Sequence, residues 1–218
     1  MNRILSSKWT KAVLFLLGLG PIGALLWFAY QAASGRDFLA LTPNPIEYVT
    51  HYTGDWTLRF LLITLGITPL RLLLNRPALT RFRRMMGLYA FSYGCLHMLT
   101  WLWWDRQFEI GGMIEDVLKR IYITAGMTGY LAMVPLAITS TAGWVRRLGF
   151  KKWQRLHRLI YLSASAGAVH YFWLVKSDKR LPLFYAAILA ALLAVRVIAW
   201  MKKRVIPRPA PAGTSPAR

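Results

Sequence analysis

Cysteine is almost absent from this sequence, and its scarcity excludes two kinds of site. The only cysteine, Cys95, lies within a long apolar segment, so the chain cannot form an intramolecular disulfide. A zinc site built from several thiolates is excluded for the same reason. Catalytic motifs are missing as well, since the chain contains no P-loop, no GxSxG and no HExxH pattern. Any chemistry must therefore use side chains of the apolar segments or of their ends.

Acidic residues are also scarce. Eight Asp and Glu stand against 28 Lys and Arg, which gives a formal net charge of +20. Such an excess can indicate nucleic-acid binding when the basic residues cover a soluble domain. Here they lie in short strips beside apolar segments, where membrane topology and attraction to anionic lipid account for them. We therefore expect membrane lipid, and no nucleic acid, among the partners.

Long apolar segments are what the sequence has in abundance. Apolar residues make up 56% of the chain and charged residues only 17%, below the roughly 25% of soluble domains. A helix needs about 20 residues to cross a hydrocarbon core of about 30 Å. Six segments qualify, at residues 12–33, 58–74, 85–104, 117–139, 154–175 and 182–201. The pattern predicts an all-α membrane protein, a six-helix transmembrane bundle over residues 1–204, with a Pro- and Ala-rich disordered tail at 205–218.

The distribution of charge predicts the orientation of this bundle. If the N-terminus lies in the cytoplasm, all eight acidic residues fall on the outer side, while the inner ends and loops carry most of the basic residues. The positive-inside rule then places both termini in the cytoplasm. The longest outer loop would be 34–56, with Thr53 or Asp55 as the cap of the second helix. His51 would then be a solvated residue of that loop.

Two histidines are predicted at similar depth within the membrane. His97 lies seven residues from the outer end of the third segment, about 10 Å deep, and His170 lies five residues from the outer end of the fifth, about 8 Å deep. Ionisable residues within spans usually face the bundle interior and serve a site. Two imidazoles at one level could supply both axial ligands of a haem iron. The alternative is a pair of histidines that form hydrogen bonds between helices.

A third histidine, His157, lies near the inner end of the fifth segment, roughly 20 Å along the helix axis from His170. This position suits a second redox centre in the other leaflet. The facing end of the third segment carries Arg83 and Arg84 rather than a histidine, and arginine does not ligate iron. His157 therefore has two readings, a haem ligand or a hydrogen-bonding group for a quinone, a flavin or a haem propionate.

Five runs of sequence around these residues carry a family resemblance. They are TGDWTLRFLLITLGITPLR (53–71), RRMMGLYAFSYGCLH (83–97), PLAITS (135–140), LGFKKWQRLHRLIYL (148–162) and VHYFWLVK (169–176). Together they resemble the MsrQ family, the haem-binding membrane subunits of bacterial periplasmic methionine-sulfoxide reductase systems. That family belongs to the ferric-reductase-like transmembrane group, which also includes NADPH oxidases and ferric reductases.

The resemblance implies an electron-transfer subunit of the bacterial inner membrane rather than a catalytic subunit. Members carry electrons from the quinone pool or a cytoplasmic flavin reductase, through b-type haem and an associated FMN, to a periplasmic subunit. That partner is a molybdopterin-dependent methionine-sulfoxide reductase, which repairs oxidised proteins. The lack of a flavin and nicotinamide domain implies that this chain cannot oxidise NADPH unaided.

The family's histidines match His97, His157 and His170. The resemblance implies that His97 and His170 bind the iron of one haem b and makes His157 a candidate ligand of a second. NADPH oxidases have two histidines on each ligand helix, whereas the third segment here carries one. One haem is therefore expected, and two remain open.

Two other functions remain open alongside this one. The chain could reduce ferric chelates directly, or it could be a transporter or scaffold whose histidines relay protons or pack the bundle. For an electron-transfer subunit, the acidic outer segment at 105–116 is the expected docking site of the periplasmic partner.

Overall fold

The regular structure of the chain is helical throughout the part described by the computed structural model, which covers residue 5 and residues 7–37 and 39–205. Short 3-10 and π segments, Pro77–Phe82 and Trp101–Asp105, precede and follow the third helix. The predicted tail lies outside the described residues, apart from Val205. The helices are α1 (Lys8–Ala33), α2 (Pro45–Leu74), α3 (Arg83–Thr100), α4 (Ile110–Lys119), α5 (Ile121–Ile138), α6 (Ala142–Leu148), α7 (Phe150–Leu156), α8 (Leu159–Leu174) and α9 (Arg180–Val205).

Four of the described helices are long and apolar enough to cross a membrane, namely α1, α2, α5 and α9 up to Lys202. The chain is therefore a membrane protein. The predicted spans at 85–104 and 154–175 correspond to α3 and to α7 with α8, which do not reach this standard by themselves. Helix α8 has 16 residues, or about 24 Å, because the helix breaks at His157 and Arg158. Helix α3 begins with two arginines. A count of six spans and the side of each terminus stay predictions.

Helix α2 begins earlier than the sequence suggested. Asn44 caps it by accepting a hydrogen bond from the backbone N–H of Glu47, and Pro45 occupies the first turn, as is typical of helix starts. The predicted cap at Thr53 or Asp55 is therefore wrong. Thr53 is buried, and its hydroxyl donates to the carbonyl of Val49. His51 is exposed but lies within this helix, not in a loop.

The predicted fourth span, 117–139, is two helices. Arg120 has extended backbone angles (φ −109°, ψ 94°) and separates α4 from α5. Helix α4 thus fills much of the predicted acidic outer loop. It turns an apolar face outward through Ile110, Ile114 and Leu118, which are exposed, while Asp116 on its other face is buried.

The bundle packs as two helix pairs that meet around α2. Helix α3 packs chiefly against α2, and α8 packs chiefly against α5. The core contains small and aromatic residues, with Ala90 and Ala164 fully buried. On α1, Gly18, Gly20 and Gly23 form a GxGxxG pattern. They lie inside a helix instead of opening one after a strand, so they are not a dinucleotide-binding fingerprint.

An arginine within α9 replaces a hydrogen bond that a proline removes from α2. Pro69 has no N–H, so it cannot donate to the carbonyl of Leu65 as a helical residue normally would. Arg196 donates to that carbonyl through Nη2 and to the carbonyl of Leu192 through Nη1 (2.7 Å). The charged side chain thus ties α9 to α2.

Candidate functional site

The two histidines predicted at equal depth lie side by side in the bundle. His97 extends from α3 and His170 from α8, and their ring centroids are 6.0 Å apart with the ring planes at 73°. Both side chains are largely removed from solvent, since the neighbouring helices α2 and α5 cover them. The structure therefore brings together two nitrogen donors from separate helices.

A backbone carbonyl fixes the tautomer of each ring. His97 Nδ1 lies 2.9 Å from the carbonyl oxygen of Thr50 on α2. His170 Nδ1 lies 2.6 Å from the carbonyl oxygen of Tyr122 on α5. Because a carbonyl only accepts, each Nδ1 must carry the proton and each Nε2 keeps a free lone pair. Histidines that bind metals are typically held in this way, with one nitrogen donating to the protein and the other bound to the ion.

Two glycines leave room for the two imidazole rings. A Cβ added to Gly54 would lie 3.0 Å from His97 Cε1, and one added to Gly126 would lie 2.8 Å from His170 Nδ1. Each glycine follows the tethering carbonyl by four residues, Gly54 after Thr50 and Gly126 after Tyr122. Each imidazole therefore lies against one helical turn, with the tethering carbonyl at its start and a glycine at its end.

A cavity of about 880 Å³ extends beside the two rings. Its walls come from α2, α3, α5 and α8 and include Leu58, Leu61, Gly94, Met133 and Gly167. Cofactor sites are typically mostly apolar and range over about 300–1,000 Å³. Two imidazoles that bind one ion from opposite sides through bonds of about 2 Å would have ring centres roughly 6 Å apart. The donor type, the tautomers, the distance between the ring centres and the volume of the cavity all fit a haem with two axial histidines.

Charged residues line the mouth of this cavity beside α4, and three of them form an ion triad. Asp116 of α4 pairs with Arg106 through one carboxylate oxygen and with Arg120 through the other, at 3.1 Å from Arg120 Nε. The Asp116 side chain is only 6% exposed. The pKa of Arg120 is raised, chiefly because the Tyr122 hydroxyl accepts a hydrogen bond from it, and further by the charge of Asp116. Asp116 therefore belongs to the interior and is not part of an outer docking surface.

The third predicted residue, His157, lies apart from this pair. It caps the C-terminal end of α7. Its Nε2 lies 3.1 Å from Thr139 Oγ1, and its ring centroid lies 3.9 Å from that of Trp153. Trp153 Nε1 in turn donates to the carbonyl of Thr139 at 2.9 Å. These contacts join the C-terminal end of α5 to that of α7. Ligation of a second haem by His157 stays a prediction.

Sequence reasoning missed the groups that hold the two ligand histidines. Carbonyls of Thr50 and Tyr122 have no side-chain signature, so no residue pattern identifies them. Gly54 and Gly126 are visible in the sequence, but glycine is common in membrane helices for several reasons. Asp116 was a usable signal, because an acid near the end of an apolar segment requires a partner.

Comparison with known proteins identifies the family of this chain. Residues 53–168 match the family described as ferric reductase like transmembrane component. A Herminiimonas arsenicoxydans protein named protein-methionine-sulfoxide reductase heme-binding subunit MsrQ is 47% identical over 95% of this chain and 93% of its own. Proteins of the same name from Bordetella pertussis and Xanthomonas campestris are 45% and 51% identical, over 89% and 82% of this chain and 91% and 81% of theirs. The chain belongs to the MsrQ family, within the ferric-reductase-like transmembrane proteins.

Proposed function

We propose that this chain is a b-type cytochrome subunit of the bacterial inner membrane that passes electrons to a methionine-sulfoxide reductase. The observation that carries the proposal is the His97 and His170 pair, with both Nδ1 atoms tethered to carbonyls and both Nε2 atoms free. The relatives' names, which specify a heme-binding subunit of protein-methionine-sulfoxide reductase, support the same function.

The protein's own residues would give this site its properties. His97 and His170 would hold the haem iron from two sides, and Thr50 and Tyr122 would orient the rings. The apolar walls formed by α2, α3, α5 and α8 would exclude water and favour a reversible change of one electron. When bound, the haem supplies that electron capacity at its iron. Because a backbone carbonyl holds each ring through its Nδ1, the two ligands would need little rearrangement on reduction or oxidation.

The donor and acceptor follow from the family resemblance. Electrons would enter on the inner side from the quinone pool or a cytoplasmic flavin reductase, with FMN as an additional cofactor. They would leave on the outer side to a molybdopterin-dependent periplasmic subunit that reduces methionine sulfoxide. The cavity mouth at Arg106 and Arg120 lies at the end of the bundle where the positive-inside rule predicts the outer face.

The test of the haem assignment is a comparison of purified wild type with His97→Ala and His170→Ala. The wild type should show the spectrum of low-spin haem b. Each substitution should abolish that spectrum or convert the residual haem to high spin, because one strong axial ligand is lost. His51→Ala is the matched control, since His51 also lines the cavity but both ligand histidines remain in this variant, which should keep the low-spin spectrum. Low-spin spectra in both ligand variants would refute the assignment.

The same preparations separate the competing functions. Colourless wild-type protein, grown with sufficient haem and iron, would favour the transporter or scaffold. The family match to ferric reductases also makes direct reduction of ferric chelates a candidate. Reduced protein that is reoxidised by ferric chelate as fast as by the methionine-sulfoxide reductase partner would favour that activity. Preferential oxidation by the partner would support the proposal.

Docking of the periplasmic partner can be tested at the exposed acids of the outer segment. Asp105 and Glu109 are exposed, whereas Asp116 is buried. The combined variant Asp105→Lys, Glu109→Lys should slow oxidation of the reduced protein by its partner, most strongly at low ionic strength, because rim charges act mainly on association. The haem spectrum should not change. Unaltered oxidation kinetics at low salt would exclude this surface.

A further inference from the structure

The Asp116 carboxylate joins the two sides of the haem cavity. Arg106 follows the π segment that extends α3, the helix that carries His97. Arg120 immediately precedes α5 and lies two residues before Tyr122, whose carbonyl holds His170. One buried carboxylate on α4 therefore contacts an arginine on the His97 side and an arginine on the His170 side.

Burial of a carboxylate costs solvation free energy that its ion pairs can fail to offset in full, so this triad is weak as a source of stability. The geometry points to a role beyond general stability, because Arg120 also approaches the hydroxyl of Tyr122 (Nη1 to Oη, 3.4 Å). A second contact joins α4 to α5, since the Thr124 hydroxyl donates a hydrogen bond to the carbonyl of Val117. Arg120 itself is held in an extended conformation between two helices. The contacts of the α4–α5 junction thus lie on both sides of Tyr122, in the first turn of α5.

We propose that Asp116 is a positioning residue for the haem ligands. It acts through Arg120 on the Tyr122 carbonyl and through Arg106 on the end of α3. This inference rests on the proposed function and deepens it. Loss of the carboxylate would free both arginines, loosen the α4–α5 junction and weaken the hydrogen bond that orients His170. It would also leave two uncompensated positive charges at the mouth of the cavity, which favour the reduced state of a nearby redox centre.

The test uses the full-length haem-loaded protein and the variant Asp116→Asn, which keeps the side-chain shape and removes the charge. We expect a high-spin fraction in the ferric spectrum, a severalfold faster transfer of haem to apomyoglobin and a midpoint potential shifted to more positive values. Glu115→Gln is the matched control. Glu115 precedes Asp116 on the same helix, and its ion pair with Lys119 is exposed, at 58% and 73% exposure for the two side chains. The control should match wild type in all three measurements.

A purely structural role would give a different pattern. It would lower the thermal unfolding temperature of both the apo-protein and the haem-loaded protein, while the haem retained would keep its wild-type spectrum and potential. Asp116→Asn with that pattern, or with wild-type values throughout, would overturn the proposal. A colourless wild type would instead contradict the proposed function, so the two failures are distinguishable.

A second variant covers the case in which Asp116→Asn does not fold. Arg120 is half exposed, so Arg120→Gln should be tolerated, and it breaks the same link to Tyr122. It should also produce a high-spin fraction. Where both variants fold, the double variant should show no larger high-spin fraction than Asp116→Asn alone, because the two residues act in one path. Additive effects, or a wild-type spectrum in Arg120→Gln, would refute the path through Arg120.

Discussion

Gly126 lies directly against the imidazole of His170. A Cβ placed on this glycine would be 2.8 Å from Nδ1, the atom that donates to the Tyr122 carbonyl. The opposite ring repeats the arrangement, since Gly54 lies against His97 below the Thr50 carbonyl. Because the same unit occurs on α2 and on α5, the bundle holds its two ligands by equivalent means on opposite walls of the cavity.

Alanine at Gly126 should displace the His170 ring. A contact of 2.8 Å cannot be kept, and the ring is rigid and tethered, so the ligand nitrogen must move. We expect haem affinity to fall by roughly 10–100-fold, the range typical for lost support of a metal ligand, with a growing high-spin fraction. Gly54→Ala should act in the same direction but less strongly, because its Cβ would lie 3.0 Å from the ring. Haem titration and optical spectra of both variants measure the effect.

Gly66→Ala provides the control on the same helix as Gly54. A Cβ at Gly66 would have no neighbour within 4 Å. Alanine favours helix over glycine by about 0.5–1 kcal/mol, so this variant should be as stable as wild type or more so, with unchanged haem affinity. Equal losses of haem affinity at Gly66 and Gly126 would show that close approach to the ring is not the cause.

The contribution of Arg196 to the stability of the bundle should depend on the presence of Pro69. Arg196→Met leaves the Leu65 carbonyl without its donor, and an unsatisfied buried carbonyl costs about 1–3 kcal/mol. In a Pro69→Ala background the new N–H can donate to the same carbonyl, so Arg196→Met should cost less there. Thermal unfolding of the four proteins in one detergent gives the double-mutant cycle. Identical losses in both backgrounds would exclude the compensation.

The sequence predicted the closeness of His97 and His170 better than it predicted the ends of the helices. Depth within apolar segments was enough to place His97 beside His170, because helix geometry converts residue number into height. The start of α2 was misplaced because TGDW carries helix-start residues in the middle of a helix, while Asn44 and Pro45 were the true start. The break at Arg120 was missed because apolar residues lie on both sides of Lys119 and Arg120, and the ion pair of Arg120 with Asp116 is visible only in the folded chain.

His157→Ala should leave the spectrum of the His97 and His170 pair intact. His157 contacts Thr139 and Trp153 where the C-terminal end of α5 meets α7, away from the ring pair. A pyridine haemochrome assay of wild type and variant gives haem per chain, and optical spectra report the ligand pair.

If His157 binds a haem of its own, the count of haem per chain should fall from two to one while the low-spin signature of the His97 and His170 pair remains. If His157 is a hydrogen-bonding group, the count should stay at one, and His157→Ala should cost less stability in a Thr139→Val background, where their shared hydrogen bond is already absent. Loss of the signature of the pair in His157→Ala would contradict the separation of the two sites.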